Sequence, residues 1–109
     1  MARVVYLCSD LLFTSKIRET AKQLGADVAV ARDVPSLVAA AGGAALAIID
    51  LRRPDAMAAI DALPRELAKV GFIDHERTDV IDAARDRGVR AYAKGKFASE
   101  LPSLLAALD

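Results

Sequence analysis

Short apolar runs rich in β-branched residues recur five times along this chain, and a longer stretch with helical spacing follows each one. Few folds accept that alternation. A parallel sheet needs a crossover between successive strands, and a helix is the usual crossover. The runs are Arg3-Val4-Val5-Tyr6-Leu7-Cys8, Asp27-Val28-Ala29-Val30-Ala31, Ala45-Leu46-Ala47-Ile48-Ile49-Asp50, Val70-Gly71-Phe72-Ile73 and Val89-Arg90-Ala91-Tyr92-Ala93. The third is the most apolar and stops abruptly at a carboxylate, followed by Leu51-Arg52-Arg53-Pro54-Asp55. The second has the lowest apolar content and suits an edge. Right-handed crossovers would put helices on both faces of the sheet. The expected fold is α/β, a doubly wound, five-stranded parallel sheet in three layers.

The helical stretches carry their own punctuation. Ser9 and Asp10 can cap the first helix, whose apolar stripe is Phe13, Ile17, Ala21 and Leu24, and Gly25 closes it as a left-handed cap. Asp33 can cap the second, with Pro35 in its first turn and Leu37, Val38, Ala40 and Ala41 turned inward. Asp55 can cap a short third helix carrying Met57, Ile60 and Leu63, limited by Pro64. The fourth runs from about Thr78 to Arg87, buries Val80, Ile81 and Ala84, and stops at Gly88. After Lys94-Gly95-Lys96, Phe97 or Ser99 opens the last helix, with Leu101, Leu104, Leu105 and Leu108 on its core face.

With 109 residues the chain makes one domain, residues 1–109. Lys plus Arg and Asp plus Glu are 15 each, a zero formal charge that argues against nucleic acid or an anionic membrane as partner. No apolar run reaches membrane-spanning length. Met1-Ala2-Arg3-Val4 leads straight into a strand, so no signal peptide is expected. Cys8 is the only cysteine, which points to a reducing cytoplasm.

In an open α/β sheet, chemistry collects beyond the carboxyl ends of the strands. With strand order 2-1-3-4-5, that edge brings together Cys8, Ser9 and Asp10, Asp50 with Arg52, Asp74 with His75, and Lys94 with Lys96. Over its whole length the sequence resembles response-regulator receiver (CheY-like) domains. Ile49-Asp50-Leu51-Arg52-Arg53-Pro54-Asp55 looks like the phosphoacceptor strand and turn, and Gly88 to Phe97 looks like the final strand and the turn after it. The resemblance implies that two acids after the first strand bind Mg²⁺ beside the acceptor aspartate. It also implies a hydroxyl after the fourth strand and a lysine after the fifth to hold the phosphoryl oxygens.

Only part of that set is present. Asp50 falls on the acceptor and Tyr92 on the aromatic switch position. Cys8 and Ser9 stand where the acid pair belongs, with Asp10 one place later. Asp74 takes the hydroxyl position, and Gly95 the lysine position, flanked by Lys94 and Lys96. An anion added at Asp50 would face Asp74, a repulsion of about 3 kcal/mol at ~5 Å and an effective dielectric near 20. The reading is a degenerate receiver that keeps the fold and has lost the switch chemistry, a stand-alone, non-enzymatic module of two-component or phosphorelay-type signalling. Its expected partner is another signalling protein or a second copy of the chain. By resemblance the contact face includes Arg85, Arg90, Tyr92, Lys94 and Glu100. No cofactor is expected, and Mg²⁺ only if phosphoacceptor activity at Asp50 is retained.

Asp50 would otherwise end the strand and pair with Lys94, Lys96 or Arg52, while the Arg52-Arg53 pair reads as a solvated turn. Two further readings compete. Asp10, Asp50, Asp74 and His75 form a candidate carboxylate–imidazole metal site. Cys8 to Ser15 locally resembles the cysteine loop of sugar phosphotransferase IIB components, which implies phosphoryl transfer through Cys8. Leu11-Leu12-Phe13 stands where that loop needs glycine and small residues.

Overall fold

The structure is a computed structural model that describes residues 3–108; Met1 and Ala2, read above as the lead into the first strand, and Asp109 lie outside them. The elements alternate as the sequence predicts: β1 (Arg3–Leu7), α1 (Leu11–Leu24), β2 (Asp27–Ala31), α2 (Val34–Ala41), β3 (Leu46–Asp50), α3 (Ala56–Ala62), β4 (Ala68–Ile73), α4 (Thr78–Asp86), β5 (Arg90–Ala93) and α5 (Lys94–Ala106). All neighbouring strands pair in parallel, in the order β2-β1-β3-β4-β5. β3 is therefore central, which is why it is buried at all five positions and reads as a continuous apolar run. Its side chains alternate between two cores. Ala47 and Ile49 join the core under α2, α3 and α4, while Leu46 and Ile48 join the one under α1 and α5.

The caps follow local chemistry. Asp10 accepts from the backbone N–H groups of Leu12 (2.9 Å) and Phe13 (3.2 Å). Gly25 ends α1 at φ 71°, a left-handed turn that costs glycine little. Asp33 and Ser36 form a reciprocal capping box at α2.

Four expectations need correction. Asp55 makes no capping bond to α3, because its carboxylate is held by Arg53 at 2.8 and 3.0 Å. Leu24 and Val38 are 46% and 43% exposed. The stripes that bury are spaced by four, Phe13-Ile17-Ala21 and Leu37-Ala41, and Leu24 and Val38 rotate off them. Lys94-Gly95-Lys96 is not a loop but the first turn of α5. Two lysines are unfavourable at a helix start. Here the burial of Phe97 against Phe72, ring centroids 4.6 Å apart, outweighs them.

Two polar groups in the interior have opposite fates. Lys69 on β4 is 6% exposed, and its ammonium donates to the carbonyls of Pro64, Leu67 and Arg65 at 2.8, 3.0 and 3.4 Å. Tyr6 on β1 is 1% exposed, and its hydroxyl has no hydrogen-bond partner among the described residues. A buried, unpaired hydroxyl loses its water bonds without replacement. Tyr6→Phe is therefore expected to raise stability by about 1 kcal/mol, read from the urea midpoint. A destabilised Phe variant would mean that the hydroxyl is satisfied.

Candidate functional site

Asp50 ends β3 with its side chain 1% exposed, and every oxygen of its carboxylate is engaged from within the chain. Oδ1 accepts from the Arg52 backbone N–H at 3.1 Å and from Arg52 Nε at 3.3 Å. Oδ2 accepts from the Ser9 backbone N–H at 3.3 Å, with Cys8 Sγ at 3.9 Å. The turn after β3 is held down by Leu51, whose N–H bonds the Phe72 carbonyl at 3.0 Å. Leu51 packs directly over Gly71, where an added Cβ would come within 2.8 Å of its Cγ and Cδ1. Gly71 thus clears the space that lets the chain turn back over Asp50.

The turn that carries the two arginines is partly solvated, as expected, and both side chains also make specific bonds. Arg52 reaches back across Asp50, and its Nη2 meets Asp10 Oδ2 at 2.7 Å. The hydrogen bond to Asp50 holds the Arg52 guanidinium above its ordinary range. Asp10 is held below the usual carboxylate range, first by the Phe13 N–H and then by Arg52. Arg53 clasps Asp55 and also donates to Ser9 Oγ (2.8 Å) and to the Arg32 carbonyl (3.2 Å). The loops after β1, β2 and β3 are so joined by one guanidinium.

Of the expected partners of Asp50, the structure selects Arg52. Lys94 makes its ion pair with Asp74 at 3.5 Å and sits 5.6 Å above the centroid of the Phe13 ring. Lys96 lies on the outer side of α5, 3.8 Å from Glu100. His75 is exposed and pairs with Glu76 at 3.2 Å. The proposed metal set of Asp10, Asp50, Asp74 and His75 therefore does not assemble. Among the described residues, no three or more His, Cys, Asp or Glu side chains are grouped to hold a metal ion. The reason is electrostatic: Arg52 is shared by Asp10 and Asp50, and Lys94 is paired with Asp74.

Mg²⁺ fits this edge no better. It demands oxygen ligands in near-octahedral array, usually with one or two carboxylates and waters. Cys8 and Ser9 supply no carboxylate, Asp10 is divided between a helix cap and Arg52, and Asp50 has no free oxygen. Cys8 is half-buried, and its Sγ donates to the Asp10 carbonyl at 3.4 Å. Burial pushes its thiol up, Thr14 and that carbonyl bond pull it down, and the carboxylates of Asp50 and Asp10 add to the rise. A nucleophilic cysteine requires the opposite environment.

The expected contact face is divided by the sheet edge. Arg85 extends from α4 to the Ala91 carbonyl at 3.0 Å. Arg90, Tyr92 and Glu100 lie along the other side, in a cleft of about 310 Å³ between α5 and the strands β3, β4 and β5. Lys94 belongs to the Asp74 pair. Sequence reasoning missed Arg53 as a clasp and Lys69 as a buried tether. A doubled arginine after a strand-end acid was the available signal for the first.

An open parallel sheet with its polar edge at the strand carboxyl ends defines a doubly wound α/β protein of the flavodoxin and CheY type. No protein-family model matches the chain, and no curated protein sequence matches it significantly. Solved structures do. A CheY-like protein (tadZ) from Pseudomonas aeruginosa PAO1 superposes with a TM-score of 0.80 at 21% identity, covering 100% of both chains. A response regulator receiver domain protein from Clostridium thermocellum gives 0.77 at 16% identity, covering 96% of this chain and 91% of that one. NtrX from Brucella abortus, solved in complex with ADP, gives 0.80 at 21% identity over 95% of this chain, which spans only 26% of the NtrX chain. The chain has the CheY-like fold of response-regulator receiver domains. Among the described residues, no helix is long and apolar enough to cross a membrane.

Proposed function

We propose that this chain is a cytoplasmic, receiver-type regulatory module that acts by binding another signalling protein and does not carry a phosphoryl group. The observation that supports this best is the state of Asp50. Its carboxylate is 1% exposed and both oxygens are occupied by donors of the same chain. Phosphoryl transfer to a carboxylate requires an oxygen free to attack in line, and catalysis consists mostly of positioning and charge neutralisation. The engaged oxygens of Asp50 weigh against such a transfer. Asp74 brings negative charge where a hydroxyl would donate, and Lys94 is committed to Asp74. The signalling context comes from structural neighbours described as response regulators or receiver domains. The cleft bordered by Arg90, Tyr92 and Glu100 is the part of the surface we assign to partner contact.

Intact mass after incubation with a small phosphodonor and Mg²⁺ tests the reading. The mass is expected to stay unchanged. A phosphoryl adduct that disappears in Asp50→Asn would replace this reading with a working phosphoacceptor. An acid-labile adduct that survives Asp50→Asn and vanishes in Cys8→Ser would establish a phosphocysteine carrier.

A further inference from the structure

We propose that Arg52 is the resident cation of the strand-end site, occupying as part of the chain the place that a divalent ion takes beside the acceptor in receivers. The inference rests on the receiver-type reading of the fold and deepens it, because it states what fills a site whose residues do not suit Mg²⁺.

The geometry is that of a bridging ion. One guanidinium spans two carboxylates from different strand ends, with Nε 3.3 Å from Asp50 Oδ1 and Nη2 2.7 Å from Asp10 Oδ2. The Arg52 backbone N–H donates to the same Oδ1 at 3.1 Å, so main chain and side chain of one residue grip one oxygen. The tether is short, since Arg52 lies two residues beyond Asp50. Binding is intramolecular, and a free ion must displace a group held at high effective concentration. The guanidinium differs from a metal in one decisive way. It is planar, permanently charged and offers donors only in a fixed fork. It sets one positive charge against the two carboxylates of Asp50 and Asp10, where a divalent ion would set two, and it meets oxygens through N–H donors in one plane instead of coordinating them as an octahedral ion does.

The remaining charges around the site fit this role. Arg53 is turned to Asp55 and Ser9, and Lys94 to Asp74. Arg52 is thus the basic side chain that reaches Asp50 among the described residues. A buried carboxylate deprived of its counter-charge strongly destabilises a fold, although the partial exposure of Arg52, 35%, reduces the effect.

Thermal melts with and without millimolar Mg²⁺ or Mn²⁺ test the assignment on the wild type, Arg52→Met and the double variant Arg52→Met/Asp50→Asn. The wild-type midpoint is expected to ignore both ions. Arg52→Met is expected to melt about 5–10 °C lower and to recover part of the loss with Mn²⁺, since a ligand that prefers the native state raises its stability. The double variant, which removes charge and counter-charge together, should melt closer to the wild type. A wild type stabilised by either ion, or an Arg52→Met protein as indifferent to Mn²⁺ as the wild type, overturns the assignment. If Arg52→Met does not fold, a folded double variant supports it and an unfolded one overturns it. A metal-stabilised wild type without a phosphoryl adduct would defeat this inference alone, whereas an adduct at Asp50 would defeat the regulatory reading as well.

Discussion

Phe72→Ala is expected to cost about 3–5 kcal/mol and to lower the melting midpoint by roughly 15–25 °C. Phe72 is fully buried on β4, between Phe13 of α1 and Phe97 of α5. The Phe13–Phe72 and Phe72–Phe97 centroids are 4.7 and 4.6 Å apart at low interplanar angles, and Phe13 and Phe97 are 5.9 Å apart. Truncation removes the central ring from this stack and leaves a cavity that two helices and a sheet cannot easily close. Typical domains are stable by only 5–15 kcal/mol, so the loss is a large share of the total. The site should feel it too. Phe72 is the Cα partner of Asp50 in the β3–β4 register, and Lys94 stands over the Phe13 ring. Urea unfolding followed by circular dichroism checks the prediction. A loss below about 1 kcal/mol would show that the stack is not the anchor of this core.

The second large effect lies at the opposite end of β4. Lys69→Met keeps most of the apolar stem and deletes the ammonium, and it should cost about 2–3 kcal/mol. The ammonium satisfies three carbonyls, those of Pro64, Arg65 and Leu67, in the segment that leads from α3 into β4. Without it, acceptors at a partly buried position lose a charged donor, and bonds to charged groups are the stronger class. The same segment should exchange its amide hydrogens faster in the variant. Unchanged stability in the urea titration would mean that water replaces the ammonium at no cost.

Much of the fold is legible in the residues. The five apolar runs become the five strands, and the most apolar of them lies at the centre of the sheet. The left-handed glycines Gly25 and Gly88 close helices where the pattern stops, because that backbone conformation suits glycine. Asp10 and Asp33 cap as their side chains allow, through bonds within three residues. Asp50 is legible for the same reason: a carboxylate ending a buried run must lie at the strand's carboxyl edge.

The wiring of that edge was not. Asp55 follows the rule for a cap and is taken by Arg53 instead. Lys94 and Lys96 look like equivalent partners for Asp50, yet one pairs with Asp74 and the other with Glu100. Asp10 and Arg52 are 42 positions apart and meet at 2.7 Å only because β1 and β3 are neighbours. By itself, then, the sequence determined the order of elements, the sheet they build and the presence of Asp50 at its carboxyl edge, since periodicity and capping act over a few residues. Only the tertiary structure decided which cation holds Asp50, which lysine is buried and where α5 begins. Those outcomes depend on groups distant in sequence competing for the same partners at distances of a few ångströms, where ion pairing and ring packing outweigh local propensity.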